Sequence, residues 1–217
     1  MGGRNIRICI KEKKMISVII PYIEDRGFLN EALESLHRQS YQNFEIIFAQ
    51  GDYLQGVNIN RGLKKARGNF IKILHDDDML PINSLRDLRI GIAGFDWCCG
   101  DMETFGTPEW CDPQAHTGRM PVLSMMVNKN QVYGGTTLYK KSALIKVGGY
   151  DEKLWTGEEY DLHLRLLSNG YTVTYIPKIV HRYRLHQVNK SYNLTYGKKQ
   201  ERAAYIKEIA KKYKPSQ

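Results

Sequence analysis

The chain has 217 residues, 42% of them hydrophobic, with 32 Lys and Arg against 23 Asp and Glu and a formal net charge of +9. That size and apolar content suit one α/β domain with a real core and exclude a disordered or low-complexity chain. No apolar run reaches membrane-spanning length, and the basic balance points to anionic partners without choosing among nucleotides, phosphorylated lipids, membrane surfaces and nucleic acid.

Residues 1–14 read as a polar leader, part of it expected to be foreign to the native domain. It lacks the apolar stretch of a secretory signal, and Ile6 stands where a myristoylation motif needs Ser or Thr. Ile16–Ile20 is a buried-type strand stopped by Pro21. Phe28–Leu36 spaces Leu29, Leu33 and Leu36 along one helical face. Phe44–Ala49 is a second strand, Gly51 and Gly56 flank a short loop, and Asn58–Ala66 is a helix closed by Gly68. Phe70–Leu74 is a third strand and Leu85–Ile90 lies in another helix. Strands alternating with helices in this way predict a parallel sheet wrapped by helices.

The second half is less regular. Phe95–Cys99 reads as a strand, and residues 103–121, rich in Thr, Pro, Gly and Asp, as a surface loop or lid. Tyr133–Tyr139 is predicted as a strand, followed by a short helix from Lys141 to Gly148-Gly149. Glu158–Ser168 is an amphipathic helix capped by Asn169-Gly170. Tyr171–Ile176 and Ile179–Arg184 are β-rich, and residues 198–214 form a Lys-rich helix. Cys9, Cys98, Cys99 and Cys111 show no metal-site spacing and are expected as reduced thiols in a cytoplasmic protein.

The chemistry-bearing feature is Asp76-Asp77-Asp78 at the end of the third strand. Like charges that close stay ionised only with positive charge among them. A hard divalent cation bridging a diphosphate at a strand end satisfies this, and an acidic cap on the next helix is the alternative.

Several segments, taken in order and spacing, resemble a GT-A glycosyltransferase of the family-2 type over about residues 15–190. They are Val18-Ile19-Ile20-Pro21-Tyr22, Leu33-Glu34-Ser35-Leu36-His37-Arg38-Gln39-Ser40, Asn60-Arg61-Gly62-Leu63, His75-Asp76-Asp77-Asp78-Met79-Leu80-Pro81, Gly148-Gly149-Tyr150-Asp151 and Gly157-Glu158-Glu159-Tyr160-Asp161. The resemblance implies a GT-A fold, a single α/β/α sandwich with a mostly parallel central sheet. Residues 15–100 would form the nucleotide half, 101–190 the acceptor side, and 197–217 a basic C-terminal helix. The carboxylate run would be the DXD motif, holding Mn2+ in preference to Mg2+ through Asp78 and Asp76, with Asp76 and Asp77 near the ribose and diphosphate. Glu159 would be the base of an inverting transfer, with Glu158 and Asp161 beside it. A helix whose dipole favours an acidic first turn is the alternative there. His186, in Tyr183-Arg184-Leu185-His186, would ligate the metal or reach a phosphate, with Arg184 and Lys190 offsetting charge; a solvated His is the alternative.

Pro21, Tyr22 and Glu24 would meet the base and ribose, with Arg61 facing the nucleotide and Asp52 standing in for the family's base-reading Asp. Uridine is favoured as the family's commonest donor base. Gly134 and Gly135 would let substrate approach bare backbone, or mark a bulge. Asp101 and Trp155 are candidate sugar or acceptor contacts, Trp155 alternatively a core residue. The expected partners are a UDP-sugar donor and a glycan or lipid-linked acceptor, with peripheral membrane contact through the Lys-rich helix as an alternative to a solvated face. A retaining course on the same metal site, and a non-catalytic nucleotide- or nucleic-acid-binding module, are the competing readings. No specific nucleic acid is expected, because unshielded carboxylates repel phosphates. A nucleotidyltransferase is disfavoured: Pro21–Arg26 is not a Gly-rich phosphate loop.

Overall fold

The computed structural model describes residues 14–106, 114–186, 189 and 196–214. Lys190, Cys9, Cys111 and nearly all of the polar leader lie outside these residues. The first half alternates β1 (Ile16–Tyr22), α1 (Leu29–His37), β2 (Phe44–Gln50), α2 (Gln55–Lys65), β3 (Phe70–Ile73) and α3 (Ser84–Gly91). Then come β4 (Trp97–Gly106), β5 (Gln114–His116), α4 (Leu123–Met126), β6 (Leu138–Lys140), α5 (Lys141–Lys146), α6 (Glu158–Ser168), β7 (Val173–Leu185) and α7 (Tyr196–Lys211).

The seven strands form one sheet in the order β2-β1-β3-β6-β4-β5, with β7 paired to β4. The sheet is mixed. β1 pairs in parallel with β2 and β3, and β4 with β7, while β6 enters antiparallel to both β3 and β4. Strand alternation sorts the core into two layers. Ile19, Ile71, Ile73, Trp97 and Cys99 join the cluster containing Ile59, Leu144, Leu162 and Leu166 of α2, α5 and α6. Val18, Ile20, Phe70 and Cys98 join the cluster containing Ala32, Leu36, Leu85 and Leu88 of α1 and α3. Each such fully buried aliphatic chain stabilises by roughly 1.5–3 kcal/mol.

The chain steps from β1 to β2 on one side and returns to β3 on the other. Loops leaving the carboxyl ends of β1 and β3 therefore diverge and open a crevice. Pro21 and Tyr22 end one strand, and Asp76–Asp78 follow the other.

Several expectations are revised. Pro21 lies within β1 rather than stopping it, because pairing with β2 continues through Pro21↔Ala49 and Tyr22↔Gln50 after β3 has ended. Helix α2 starts at Gln55, so Gly56 is helical; its missing side chain admits the Asp151 carbonyl, 3.0 Å from where a Cβ would sit. Residues 103–121 are not simply a loop: they contain the end of β4 and the paired strand β5. Tyr133–Tyr139 is not a strand throughout. Gly134–Thr136 makes one 3-10 turn, closed by the Thr136 and Thr137 hydroxyls donating to the Tyr133 and Gly134 carbonyls, and only Leu138–Lys140 is β.

The two late β segments form the single strand β7, irregular opposite Gly100–Met102, where three extra residues are taken up. Helix α7 is not solvated all round: Ile209 and Ala210 are buried in the core cluster, and Tyr205 packs on Trp155.

Close helix–sheet approach depends on Gly62, where an added Cβ would lie 2.4 Å from Ile19 Cγ2. Gly62→Ala is expected to lower unfolding stability by about 1–3 kcal/mol in urea denaturation; an unshifted midpoint would show that α2 moves away freely.

Candidate functional site

The loop after β3 is fastened to β7. Met79 and Arg182 exchange backbone hydrogen bonds of 3.0 and 2.9 Å. The irregularity in β7 then sets His181 and Arg184 around Asp78. The Arg184 backbone N–H donates to Asp78 Oδ1 at 3.0 Å, and His181 Nε2 lies 3.0 Å from Asp78 Oδ2. His75 Nδ1 approaches the same oxygen at 3.4 Å. Burial alone would raise the Asp78 pKa, but the two histidines hold it well below the carboxylate range. A carboxylate accepts only, so His181 donates. Burial lowers the His181 pKa, so it donates as a neutral ring. Burial would lower His75 too, but its bond to Asp78 and the charges of Glu159, Asp78 and Asp77 push it up to about 9. His75 therefore carries a proton at neutral pH, and its Nε2 has no protein partner.

Asp76 and Asp77 face the other way, into a cavity of about 520 Å3. They are 6% and 8% exposed and share one guanidinium: Arg26 Nη2 lies 2.8 Å from Asp76 Oδ1 and 3.0 Å from Asp77 Oδ2. His186 Nε2 also lies 3.0 Å from Asp77 Oδ2, with its ring against Phe28. Arg184 anchors this corner from behind. Its Nε donates to the Asp77 carbonyl, its Nη2 meets Glu31, and its guanidinium lies 4.7 and 4.5 Å from the ring centres of Phe28 and Phe105. Burial nonetheless leaves the Asp76 pKa raised, with the Arg26 contacts opposing it. Arg26 thus offsets the burial of the Asp76 carboxylate only in part. Oxygen donors with uncompensated charge fit a hard divalent cation. Among the described residues, however, no group of three His, Cys, Asp or Glu side chains is placed to hold a metal by itself.

Glu159 enters from the opposite wall, on the first turn of α6. Its Oε1 is buried without a partner, and its Oε2 lies 1.6 Å from where a Gly134 Cβ would be. Gly134 is thus the space that the carboxylate occupies. Burial raises the Glu159 pKa, Glu158 adds to this, and the His75 and Lys72 charges oppose it. Lys72 is fully buried, donates to the Gly135 carbonyl, and is itself lowered to about 8 by burial.

Pro21, Tyr22, Glu24, Asp52, Asp76, Asp77, Gly134, Glu158 and Glu159 all line this cavity. Asp52 also closes the turn that leads into α2, its Oδ1 accepting from Leu54 N at 3.0 Å. The remaining described candidates do not line it. Asp78 is sealed beneath by the bonds above. Asp161 accepts from Arg165 and Tyr213, each at 2.7 Å, and is 2% exposed. Asp101 accepts from Gly118 N and the Tyr175 hydroxyl. Gly135 lies under the His181 ring, and Arg61 is exposed beside Asn58. Unforeseen wall residues are Arg26, His75, Asn130, Thr156, Arg202 and Ile206. Arg202, on α7, donates to Thr156 Oγ1 at 2.8 Å. A charged residue just after β1 was the available signal for Arg26; nothing local distinguishes Arg202 from its basic neighbours.

Residues 119–189 match a family described as the N-terminal domain of galactosyltransferase. An uncharacterized glycosyltransferase of Methanocaldococcus jannaschii is 24% identical, the match covering 89% of this chain and 78% of that protein. Another, from Rickettsia felis, is 21% identical over 70% of this chain and 31% of its own length. The crystal structure of S. aureus TarS in complex with UDP-GlcNAc aligns with a TM-score of 0.68 at 18% identity, over 90% of this chain and 66% of that one. The complex with UDP aligns at 0.64 and 19% identity, over 79% and 60%. The chain thus spans less than two thirds of several of these relatives. Together the matches support a GT-A-like glycosyltransferase, and the structural likeness establishes the fold.

Breaking the Asp78 network leaves buried donors unpaired. Asp78→Asn is expected to cost about 3–5 kcal/mol in urea unfolding at neutral pH. Because the folded pKa lies below the ordinary 3.8, this stabilisation is complete above that value and lost as pH falls through the lowered one. The variant should lose that acid-side slope; an unchanged stability profile would remove Asp78 from its structural role.

Proposed function

We propose that this chain transfers a sugar from a UDP-sugar to an acceptor hydroxyl with inversion, using Glu159 as the general base. The observation carrying the reading is a buried carboxylate with an unpartnered oxygen, set in the same cavity as the Asp76-Asp77 pair. A sugar hydroxyl is a weak nucleophile until its proton is taken. Glu159 takes that proton as the acceptor oxygen bonds to the anomeric carbon and the bond to the β-phosphate oxygen breaks, releasing UDP. Its raised pKa suits a group that must accept a proton near neutral pH.

The donor assignment is supported by the TarS complexes with UDP and UDP-GlcNAc, and by a cavity volume within the ordinary range for small-molecule sites. Tyr22, set edge-on to Phe48 with ring centres 6.2 Å apart, offers an aromatic wall for the base. His75 and Arg202 offer positive charge to the diphosphate. Asp76 and Asp77 would hold Mn2+ or Mg2+, with His186 behind Asp77, and the bound ion would stabilise charge on the departing diphosphate. Arg26 holds the pair's charge in its place. Asp78 then serves by positioning this loop. The acceptor is proposed to be a glycan or lipid-linked sugar; the lysines of α7, pointing away from its buried edge, would suit an anionic membrane surface.

Hydrolysis of a panel of UDP-sugars with Mn2+ tests the donor reading without an acceptor. Glu159→Gln is expected to slow that hydrolysis by about 100-fold or more, with UDP affinity by calorimetry within about threefold of wild type. Full-rate hydrolysis in that variant would remove Glu159 as base, and retention of anomeric configuration in a glycosylated product would remove the inverting course. Arg26→Ala is expected to tighten nucleotide-free Mn2+ binding by about tenfold, because two carboxylates lose their resident cation. Equal or weaker Mn2+ binding would place the ion elsewhere.

A further inference from the structure

Beside the donor cavity lies a second one of about 390 Å3, formed by residues 117–119, Met125 and residues 129–133. The two share Asn130 and Val132, and the turn that follows carries Gly134, against which Glu159 rests. The two cavities are therefore neighbours along one short segment that ends against Glu159. The walls are tied down. Gly118 N donates to Asp101 Oδ1 at 2.7 Å, and Asp101 is itself held by Tyr175. Val122 N donates to Gln131 Oε1 at 3.2 Å, and the Tyr160 hydroxyl donates to the Met126 carbonyl.

The electrostatics of the two cavities are opposite. The donor cavity carries six carboxylates against Arg26, Arg202 and the protonated His75. The second is lined by Arg119 and Lys129, and among the described residues no carboxylate lines it. Neither cation forms an ion pair among the described residues. A neutral sugar has no use for two positive charges that line one recess without an ion-pair partner among the described residues. An anionic substituent does, and Arg pairs with phosphate or carboxylate oxygens through parallel N–H donors.

We propose that this second cavity is an acceptor subsite for an anionic glycan, with Arg119 and Lys129 holding a phosphate or carboxylate group next to the transfer site. The proposal rests on the transferase reading for its word "acceptor", but the anion site stands on its own geometry. It predicts an acceptor that bears negative charge.

The test uses the whole chain with UDP and Mn2+ saturating, so that the donor cavity is blocked. Glucose 6-phosphate, glucuronate and glucose are titrated by NMR line shift. The anionic sugars are expected to bind at least about tenfold more tightly than glucose, with the preference shrinking as salt rises. Arg119→Ala with Lys129→Ala should abolish the preference while leaving UDP affinity unchanged. The ranking of glucose 6-phosphate against glucuronate tells which anion the site is built for. Absence of any anion preference in the wild type, or its survival in the double variant, overturns the proposal. Failure of the wild type to bind UDP would instead overturn the donor reading, and the same titrations without UDP would still decide the anion site.

Discussion

The structure turns on how three adjacent carboxylates are accommodated out of water. Asp76, Asp77 and Asp78 are all nearly buried, and each is supplied with positive charge or donors from distant parts of the chain. Arg26 reaches the first two, while His181, His75 and the Arg184 backbone surround the third. Burying a charge without such partners would cost several kcal/mol. The loop can hold its shape only where β1, β3 and β7 present these partners together. The sheet's irregular β4–β7 pairing is part of that arrangement, since it sets His181 beneath the loop.

The carboxylates thereby divide their work. Asp78 is spent on structure, with both oxygens occupied and no face to the cavity. Asp76 and Asp77 keep theirs toward it. A run of identical residues thus yields one internal strut and two groups available to a ligand, because successive side chains of a tight turn point in different directions.

Missing side chains matter as much as present ones. Gly134 leaves the volume that the Glu159 carboxylate fills, and Gly135 the volume under the His181 ring. One 3-10 turn, held from below by Lys72, therefore sets the spacing between the candidate base and the Asp78 network. The same segment, continued back to Asn130, divides an acidic cavity from a basic one. A diphosphate needs added cations beside the acidic walls, whereas an anionic acceptor needs none beside the basic ones. Under the proposed reading, the opposite polarity of the two recesses would keep donor and acceptor in separate places.

Local pattern determined much of this protein. The apolar runs at Ile16–Ile20, Phe44–Ala49 and Phe70–Leu74 carry their own period, and α6 is legible to the residue because an acidic first turn and Asn169-Gly170 bracket it. The carboxylates at Asp76–Asp78 and Glu158-Glu159 stood out because unshielded acidic clusters demand an explanation from their neighbours. Which acid is sealed and which is open was not legible. That depends on Arg26 being 50 residues from Asp76 and His181 being 103 residues from Asp78, separations no local spacing encodes. The first part of the strand expected at Tyr133–Tyr139 is a turn for the same kind of reason: two glycines and two hydroxyls allow either form, and Glu159 and His181 pack against the turn. Arg202 joins the cavity wall only because α7 folds back to bury Ile209. Propensity acts over a few residues, but charge compensation and volume exclusion act through space, and only the folded chain brings those partners into contact.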